Sequence, residues 1–266
     1  MRLIPIFALT FALSSYAQGP PSPPQTATHP VWALHWSSGK GNFWTDQPDC
    51  HPLQYFSTNP KRFDYGQDLF GRSPTDIKDK VEEKRIGEVQ GFSIHQILHT
   101  IPIEGWNLFI KMILVERRPG EFCEIYNAEY DAVMGSIDPA YIVEINSEKV
   151  LVTHDLVSGT GNFYVEEYWT FDNQGPIPLD QGIIDETLKK LLPKEKSVWK
   201  GGGFDIGKMC YAQSVWQDGD GNCCPSAGKV QIKFALENHQ LVVVQQKYDS
   251  QLTEKEKEKN STACTL

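Results

Sequence analysis

Alternating apolar and polar residues dominate the middle of the chain. The stretches rich in β-branched and aromatic residues are 106–116, 141–145, 150–156, 162–171, 230–236 and 241–248, and each is bounded by Gly, Pro, Asn or Asp. Because successive side chains of a strand point to opposite faces, this pattern predicts β-strands joined by short turns. Arg117-Arg118 before Pro119-Gly120 is typical of such a turn.

Two segments have helical spacing instead. The first runs from a Ser73 cap, with Pro74 at the first helical position, through Ile77 and Val81. The second begins at an Asp180 cap, ends at Pro193, and has these residues on one face: Ile183, Ile184, Leu188, Leu191 and Leu192. The combination predicts an α+β fold of antiparallel sheets, each covered by one helix.

Short matches recur in the same order in both halves of the chain. Residues 38–43 recur as 158–163, residues 91–94 as 203–206, and Ile110-Lys111 with Leu114 as Ile232-Lys233 with Leu236. Each predicted helix falls between the first and second match. We therefore predict a tandem duplication with units at 31–147 and 148–250. The alternative is that glycine-rich hairpin turns arose twice independently.

The first 17 residues have the pattern of a secretory signal peptide. Arg2 precedes an apolar run, and the small residues Ser15 and Ala17 precede the predicted cleavage point. No segment is long enough for a membrane-spanning helix, so we expect no integral membrane segment and a secreted or periplasmic location. Residues 18–30 are predicted to be a disordered tether and residues 251–266 a charged tail.

Charge argues against a nucleic-acid partner. The chain has 25 basic and 34 acidic residues, a net charge of −9, and no basic stripe with interleaved aromatic residues. Affinity for nucleic acid comes mainly from Lys and Arg that neutralise phosphates. We therefore expect no binding to nucleic acid.

The chain has six cysteines, and in an oxidising compartment these are expected to form disulfides. Pairing Cys210 with Cys223 or Cys224 closes the shortest loop, so we predict that bridge first. Cys50 with Cys123 is the second predicted pair. A zinc site is the alternative, but the cysteines lack CxxC spacing and a neighbouring group of histidines.

Two motifs resemble metal sites. His95 and His99 have the spacing of the zinc protease motif HExxH, but Gln96 stands where the Glu must be, so we predict two structural histidines of a strand. Asp218, Asp220 and Asn222 resemble the opening of a calcium loop, although Lys229 stands where the final Glu should be and Cys223 where Gly should be. We favour a hairpin connection there and expect neither a metal nor a cofactor.

Glu166 and Glu167 beside Tyr168-Trp169 could line a sugar site, with the acids acting in acid–base catalysis. Adjacent residues of a strand face opposite sides, however, so the two acids cannot share one substrate. The chain also lacks the GxSxG, P-loop and dinucleotide-binding motifs. These observations favour a role without catalysis.

The segment 221–228, which contains Cys223-Cys224-Pro225-Ser226, resembles a run similar to Cys-Cys-Pro-Ser-Gly-Gly in poorly characterised exported bacterial proteins, some of them envelope lipoproteins of actinobacteria. Ala227 stands where that run has Gly. The resemblance covers the last quarter of the chain, implies export and a disulfide role, and implies no activity.

We therefore predict an exported protein that binds a small molecule, a glycan or a cell-envelope partner. Trp36 and Trp44 flank the first SGxGNF turn, and Tyr164 and Trp169 follow the second. They are the predicted ligand contacts, because aromatic faces stack on apolar parts of ligands. The alternatives are a secreted or periplasmic hydrolase that uses carboxylates and a structural envelope component.

Overall fold

The computed structural model describes residues 33–34, 50–58, 80–103, 106–131, 135–157, 163–198, 203–221, 224–251, 264 and 266. The predicted signal peptide, the predicted tether and nearly all of the charged tail lie outside these residues. Strands predominate within them, and the strand pairs there are antiparallel. The predicted strand-rich, antiparallel architecture is thus confirmed for the part of the chain that the structure describes.

The first sheet has the order β1-β6-β5-β4-β3, and β2 also pairs with β6. Its strands are β1 (Ala33–Leu34), β2 (Cys50–His51), β3 (Lys80–Val89), β4 (Phe92–Ile103), β5 (Trp106–Arg118) and β6 (Glu121–Asp131). A short helix, α1 (Leu53–Thr58), packs its buried Phe56 against Ile97 and Met112 on one face of this sheet.

The central sheet has the order β11-β10-β9-β7, and β8 also pairs with β9. Its strands are β7 (Gly135–Ile137), β8 (Tyr141–Ile145), β9 (Glu148–Val157), β10 (Phe163–Asp172) and β11 (Gly175–Pro178). Helix α2 (Gly182–Leu191) follows.

The third sheet has the order β13-β14-β16-β17. It comprises β13 (Gly203–Asp205), β14 (Cys210–Ser214), β16 (Lys229–Glu237) and β17 (Gln240–Asp249), and a 3-10 helix (Ile206–Lys208) joins the first two. Two short strands, β12 (Lys196–Ser197) and β15 (Trp216–Gln217), pair with each other beside it. No helix among the described residues is both long and apolar enough to cross a membrane.

The central sheet is buried on both faces. On β10, Trp169 and Phe171 point toward the first sheet and share an apolar cluster with its Ile113. Tyr168 points the other way, into a cluster formed with α2 and the third sheet, which includes Leu188. Alternation along the strands therefore builds two apolar layers, one on each side of the central sheet.

One predicted helix is confirmed and the other is wrong where it can be assessed. Helix α2 occupies the segment predicted after Asp180, although its N-cap residue is Gln181. The Asp180 carboxylate accepts a hydrogen bond from the main-chain nitrogen of Gly182 at 2.8 Å. Residues 73–79 lie outside the described residues, but Val81 is in β3, paired with His99. Cap signals are local and weak, and pairing with the neighbouring strand overrides them.

The boundary predicted between the two units lies inside the central sheet. Residue 147 is in the turn between β8 and β9, where Asn146 and Ser147 have positive φ angles of 50° and 70°. Both strands of this hairpin belong to one sheet, so the first unit as predicted would end within it.

The disulfides agree with one predicted pair and correct the other. Cys50 bonds Cys123, its direct partner in the β2–β6 register, as predicted. Cys210 bonds Cys264 and not Cys223 or Cys224, so the shortest-loop prediction is wrong. Tyr211, the next residue of β14, points into the core, so Cys210 lies on the opposite face of the third sheet. Cys224 is also disulfide-bonded, and Cys223 lies outside the described residues.

Candidate functional site

A break in one strand gives the central sheet a polar margin. β7 and β8 both pair with β9, but Asp138, Pro139 and Ala140 between them are unpaired. Proline has no main-chain N–H to donate, so a break at Pro139 costs the sheet little. The break exposes the carbonyl of Asp138 and the N–H of Ala140 to other partners.

Buried polar side chains of the first sheet satisfy both groups. The Lys111 ammonium donates to the main-chain carbonyl of Asp138 at 2.7 Å, and the main-chain nitrogen of Ala140 donates to the Gln96 side-chain oxygen at 2.8 Å. Buried main-chain groups are costly to leave without partners. Lys111 and Gln96 therefore fix the position of the break.

His154 lies on β9 opposite this break, between two carboxylates. Its Nδ1 is hydrogen-bonded to Oε1 of Glu166, its register partner on β10, and its Nε2 is 3.7 Å from Oδ2 of Asp138. The Tyr168 hydroxyl donates to the other carboxylate oxygen of Glu166 and lies 3.2 Å from the carbonyl of Phe204. A continuous polar chain thus runs from the strand break to the core.

Tyr141 is the exposed aromatic residue beside these hydrogen-bonded polar groups. The β8–β9 and β9–β10 registers put it on the same face as His154 and Glu166, and it is 42 % exposed. Partial burial raises the pKa of its phenol, and the negative charges of Glu166 and Asp205 raise it further. The charges of both carboxylates therefore influence the phenol of Tyr141.

The exposure of the polar groups suits contact with a solute. The side chains of His154 and Glu166 are 23 % and 19 % exposed, so they are neither core residues nor freely solvated. An imidazole and a carboxylate held by hydrogen bonds can exchange hydrogen bonds with hydroxyl groups or transfer protons. The exposed tyrosine adds an aromatic surface for stacking. We define Tyr141, His154, Glu166 and Asp138 as the margin site.

Neither a protein-family model, nor a curated protein, nor a solved structure matches the chain.

Of the four predicted aromatic contacts, the structure describes the side chain of Trp169, which is not part of the margin site. Trp36 and Trp44 lie outside the described residues, and Tyr164 is described only as part of the β10 backbone. Trp169 is 6 % exposed, and its ring meets that of Tyr126 edge to face with centroids 5.8 Å apart. Its position between the first and central sheets does not fit the role of a ligand contact.

Glu166 and Glu167 lie on opposite faces of the central sheet, as predicted. Glu166 belongs to the margin site. Glu167 pairs in register with Thr153 on the other face, and its main-chain nitrogen donates to the Thr153 hydroxyl at 3.3 Å. Burial raises the pKa of Glu167 to about 7. The two acids therefore act in different environments.

The two histidines of the HxxxH motif are strand residues of β4, as predicted. His99 is buried, and its Nε2 is 2.9 Å from the carbonyl oxygen of Phe56 in α1. His95 lies 3.2 Å from Oε1 of Glu83, and its ring contacts that of Phe122 edge to face. One histidine thus holds the covering helix and the other supports the sheet surface.

Among the predicted calcium ligands, Asp220 is held by hydrogen bonds from its own loop. The Asp220 carboxylate accepts hydrogen bonds from the main-chain nitrogens of Gln217 and Ser226, both at 2.9 Å, and from the Ser226 hydroxyl at 2.6 Å. Asp218 is exposed, and Asn222 lies outside the described residues. Within the described ranges, no group of three or more His, Cys, Asp or Glu residues could hold a metal ion. Asp220 organises the loop through protein hydrogen bonds.

Sequence reasoning identified Glu166 and missed Tyr141, His154 and Asp138. A signal for His154 was present, because His154 and Glu166 are equally distant from Thr160 at the centre of the predicted turn. A hairpin centred there pairs them directly, as observed. The role of Asp138 had no such signal, since it depends on the strand break.

Proposed function

We propose that this protein is exported and binds a small polar molecule or a glycan at the margin site. The observation that carries the proposal is the hydrogen-bonded chain of His154, Glu166 and Tyr168 beside the exposed ring of Tyr141. Sugars present apolar ring faces for stacking and hydroxyl groups for hydrogen bonds. An aromatic ring with fixed polar partners suits both.

Export is supported by cysteine chemistry. The disulfides Cys50–Cys123 and Cys210–Cys264 are of a kind that forms and persists in oxidising compartments. The signal-peptide pattern of residues 1–17 supports the same location. N-terminal sequencing of the protein recovered from an expressing cell tests this part, and an uncleaved Met1 would contradict it.

The binding proposal is tested with a panel of glycans and small polar metabolites, using calorimetry or NMR. We expect Tyr141→Ala and His154→Asn to weaken binding of any ligand found by at least about tenfold, since each removes a stacking or hydrogen-bonding partner. His239→Asn is the matched control, because His239 is another histidine beside a glutamate and lies outside the margin site. Its Nδ1 is 3.0 Å from Oε1 of Glu148. Equal loss in the control variant would reject this site.

A hydrolase is the second candidate. His154 between the carboxylates of Glu166 and Asp138 has the partners of a general base. Turnover of chromogenic ester or glycoside substrates that Glu166→Gln abolishes, while His239→Asn preserves it, would favour this candidate over binding alone. A structural envelope component is the remaining alternative, favoured if the full panel gives neither binding nor turnover.

We also propose that the first and third sheets derive from a duplicated unit. Each contains successive antiparallel neighbours, and the matched residues Ile110 and Ile232 are both fully buried in strands. The matches at residues 38–43 lie outside the described residues. The proposal predicts that related sequences retain the matches in both halves, and relatives in which the two halves share none of them would contradict it.

A further inference from the structure

A buried pair of opposite charges joins the first sheet to the central sheet. Lys111 on β5 and Asp155 on β9 have no exposed side-chain surface, and Nζ of the lysine is 2.8 Å from Oδ1 of the aspartate. Lys111 alternates with Ile110 and Met112, which pack under α1, so its side chain enters the layer between the sheets. The two reactive groups therefore meet in an environment that excludes water.

The surroundings activate both partners. The Tyr126 hydroxyl donates to Oδ2 of Asp155 at 3.3 Å, and the carbonyl of Asp138 holds the lysine Nζ at 2.7 Å. Burial lowers the pKa of Lys111, while the negative charge and hydrogen bond of Asp155 act in the opposite direction. A desolvated lysine transfers its proton more readily, and the neutral amine is the nucleophilic form.

We propose that Lys111 and Asp155 condense to an intramolecular isopeptide bond, a covalent cross-link between β5 and β9. Proton transfer within the pair gives an amine and a carboxylic acid. The lone pair of Nζ then attacks Cγ of Asp155, a carbon–nitrogen bond forms, and one carbon–oxygen bond breaks. Two of the three ammonium protons leave with that oxygen as one water molecule, so the step needs no oxidant, reductant or cofactor.

The fold supplies what this reaction lacks in solution. Residues 44 apart in sequence are held in hydrogen-bonding contact by two packed sheets, which removes the entropic cost of bringing them together. Tyr126 is placed to stabilise negative charge that develops on the carboxyl oxygen during attack. Asp138 positions the nitrogen through its carbonyl group. The resulting bond would resist reducing agents, unlike a disulfide.

The deciding experiment is the mass of the intact chain after reduction and denaturation. Asp155→Ala protein from the same host is the reference. After correction for the substitution, we expect the wild-type mass to be lower than the mass of this variant by one water. Because export processing is the same for both chains, the comparison does not depend on where the mature chain begins. Digestion should give a branched peptide joined through residues 111 and 155. A wild-type chain of full mass would overturn the proposal and leave an ion pair only.

Variants separate this bond from other losses of water. Asp155→Asn should lose one ammonia instead of one water, because its amide nitrogen is then the leaving group. Lys111→Arg should keep its full mass, whereas Lys149→Arg, at an exposed lysine, should still lose water. Tyr126→Phe should slow formation by about 100-fold if its hydroxyl stabilises the attack. Loss of water that persists in Asp155→Ala would overturn the assignment, and the wild-type mass decides even if a variant does not fold.

Discussion

Glu167 lies on the face of the central sheet that packs against the first sheet. Burial raises its pKa from 4.5 to about 7. Between these two values the folded chain keeps a proton that the unfolded chain has lost. The contribution of Glu167 to the free energy of unfolding is therefore fully present below pH 4.5 and is lost as the pH rises to about 7.

Replacing Glu167 with Gln should remove this loss, because the amide is uncharged at every pH. We expect Glu167→Gln to exceed the wild type in free energy of unfolding by about 3 kcal/mol near pH 8 and to match it near pH 4.5. Urea unfolding at both pH values measures the difference. Glu237→Gln, at the exposed end of β16, is the control. A gain of the same size at both pH values would contradict the argument.

Two glycines with positive φ separate backbone strain from steric overlap. Gly228 (φ 102°) and Gly219 (φ 90°) both have conformations that other residues rarely adopt. A methyl group at Gly228 would overlap the Asp249 carbonyl and lie 2.7 Å from Cα of Ser250, whereas one at Gly219 would meet nothing within 4 Å. The two sites share the strain and differ in the overlap.

We therefore expect Gly219→Ala to cost about 1 kcal/mol and Gly228→Ala about 3 kcal/mol or more. The overlap at Gly228 is with main-chain atoms, which cannot rotate away. Thermal unfolding of both variants measures the difference. Equal costs would show that the β17 end moves freely and that the contact with Asp249 is unimportant.

At the scale of elements, local patterns predicted what local physics determines. The six stretches predicted as strands correspond to β5, β8, β9, β10, β16 and β17, and helix α2 also follows its predicted period, because the apolar faces of these elements are regular. Helix α1 has six residues and one buried side chain, so it carries no helical period. It is held by contacts with β4 that are distant in sequence, and the wrong helix near Val81 reflects the same limit.

Removal of the His99 side chain tests how α1 is held. His99→Leu leaves the Phe56 carbonyl without its imidazole partner, so we expect a loss of about 1–3 kcal/mol in the free energy of unfolding. His95→Leu is the matched change four residues away on the same strand, at a side chain that retains contact with solvent. We expect it to cost less than about 1 kcal/mol. Equal losses by urea unfolding would show that the link to α1 contributes nothing.

At the scale of the whole molecule, the packing of one sheet on another could not be predicted from the sequence, because it depends on contacts between strands that do not pair. Alternation predicted which face each residue occupies, as the opposite directions of Glu166 and Glu167 show. It did not predict that Lys111 meets Asp155, or that Gln96 reaches Ala140, across the layer between two sheets. The margin site could not be predicted for the same reason, because contacts of Lys111 and Gln96 across the sheets fix its strand break.

The disulfides Cys50–Cys123 and Cys210–Cys264 offer a test of how the chain is stabilised. They span 73 and 54 residues, so the chain-entropy model gives nearly equal stabilisation, about 4 kcal/mol each. Their surroundings differ, because Cys50 and Cys123 are direct register partners on paired strands, whereas Cys264 belongs to the tail beyond β17.

If restriction of the unfolded chain dominates, C50A/C123A and C210A/C264A should lose similar free energies of unfolding in urea. If native contacts dominate, C50A/C123A should lose less, because the pairing of β2 with β6 remains to hold the strands together. A loss in C210A/C264A below half of that in C50A/C123A would contradict both accounts.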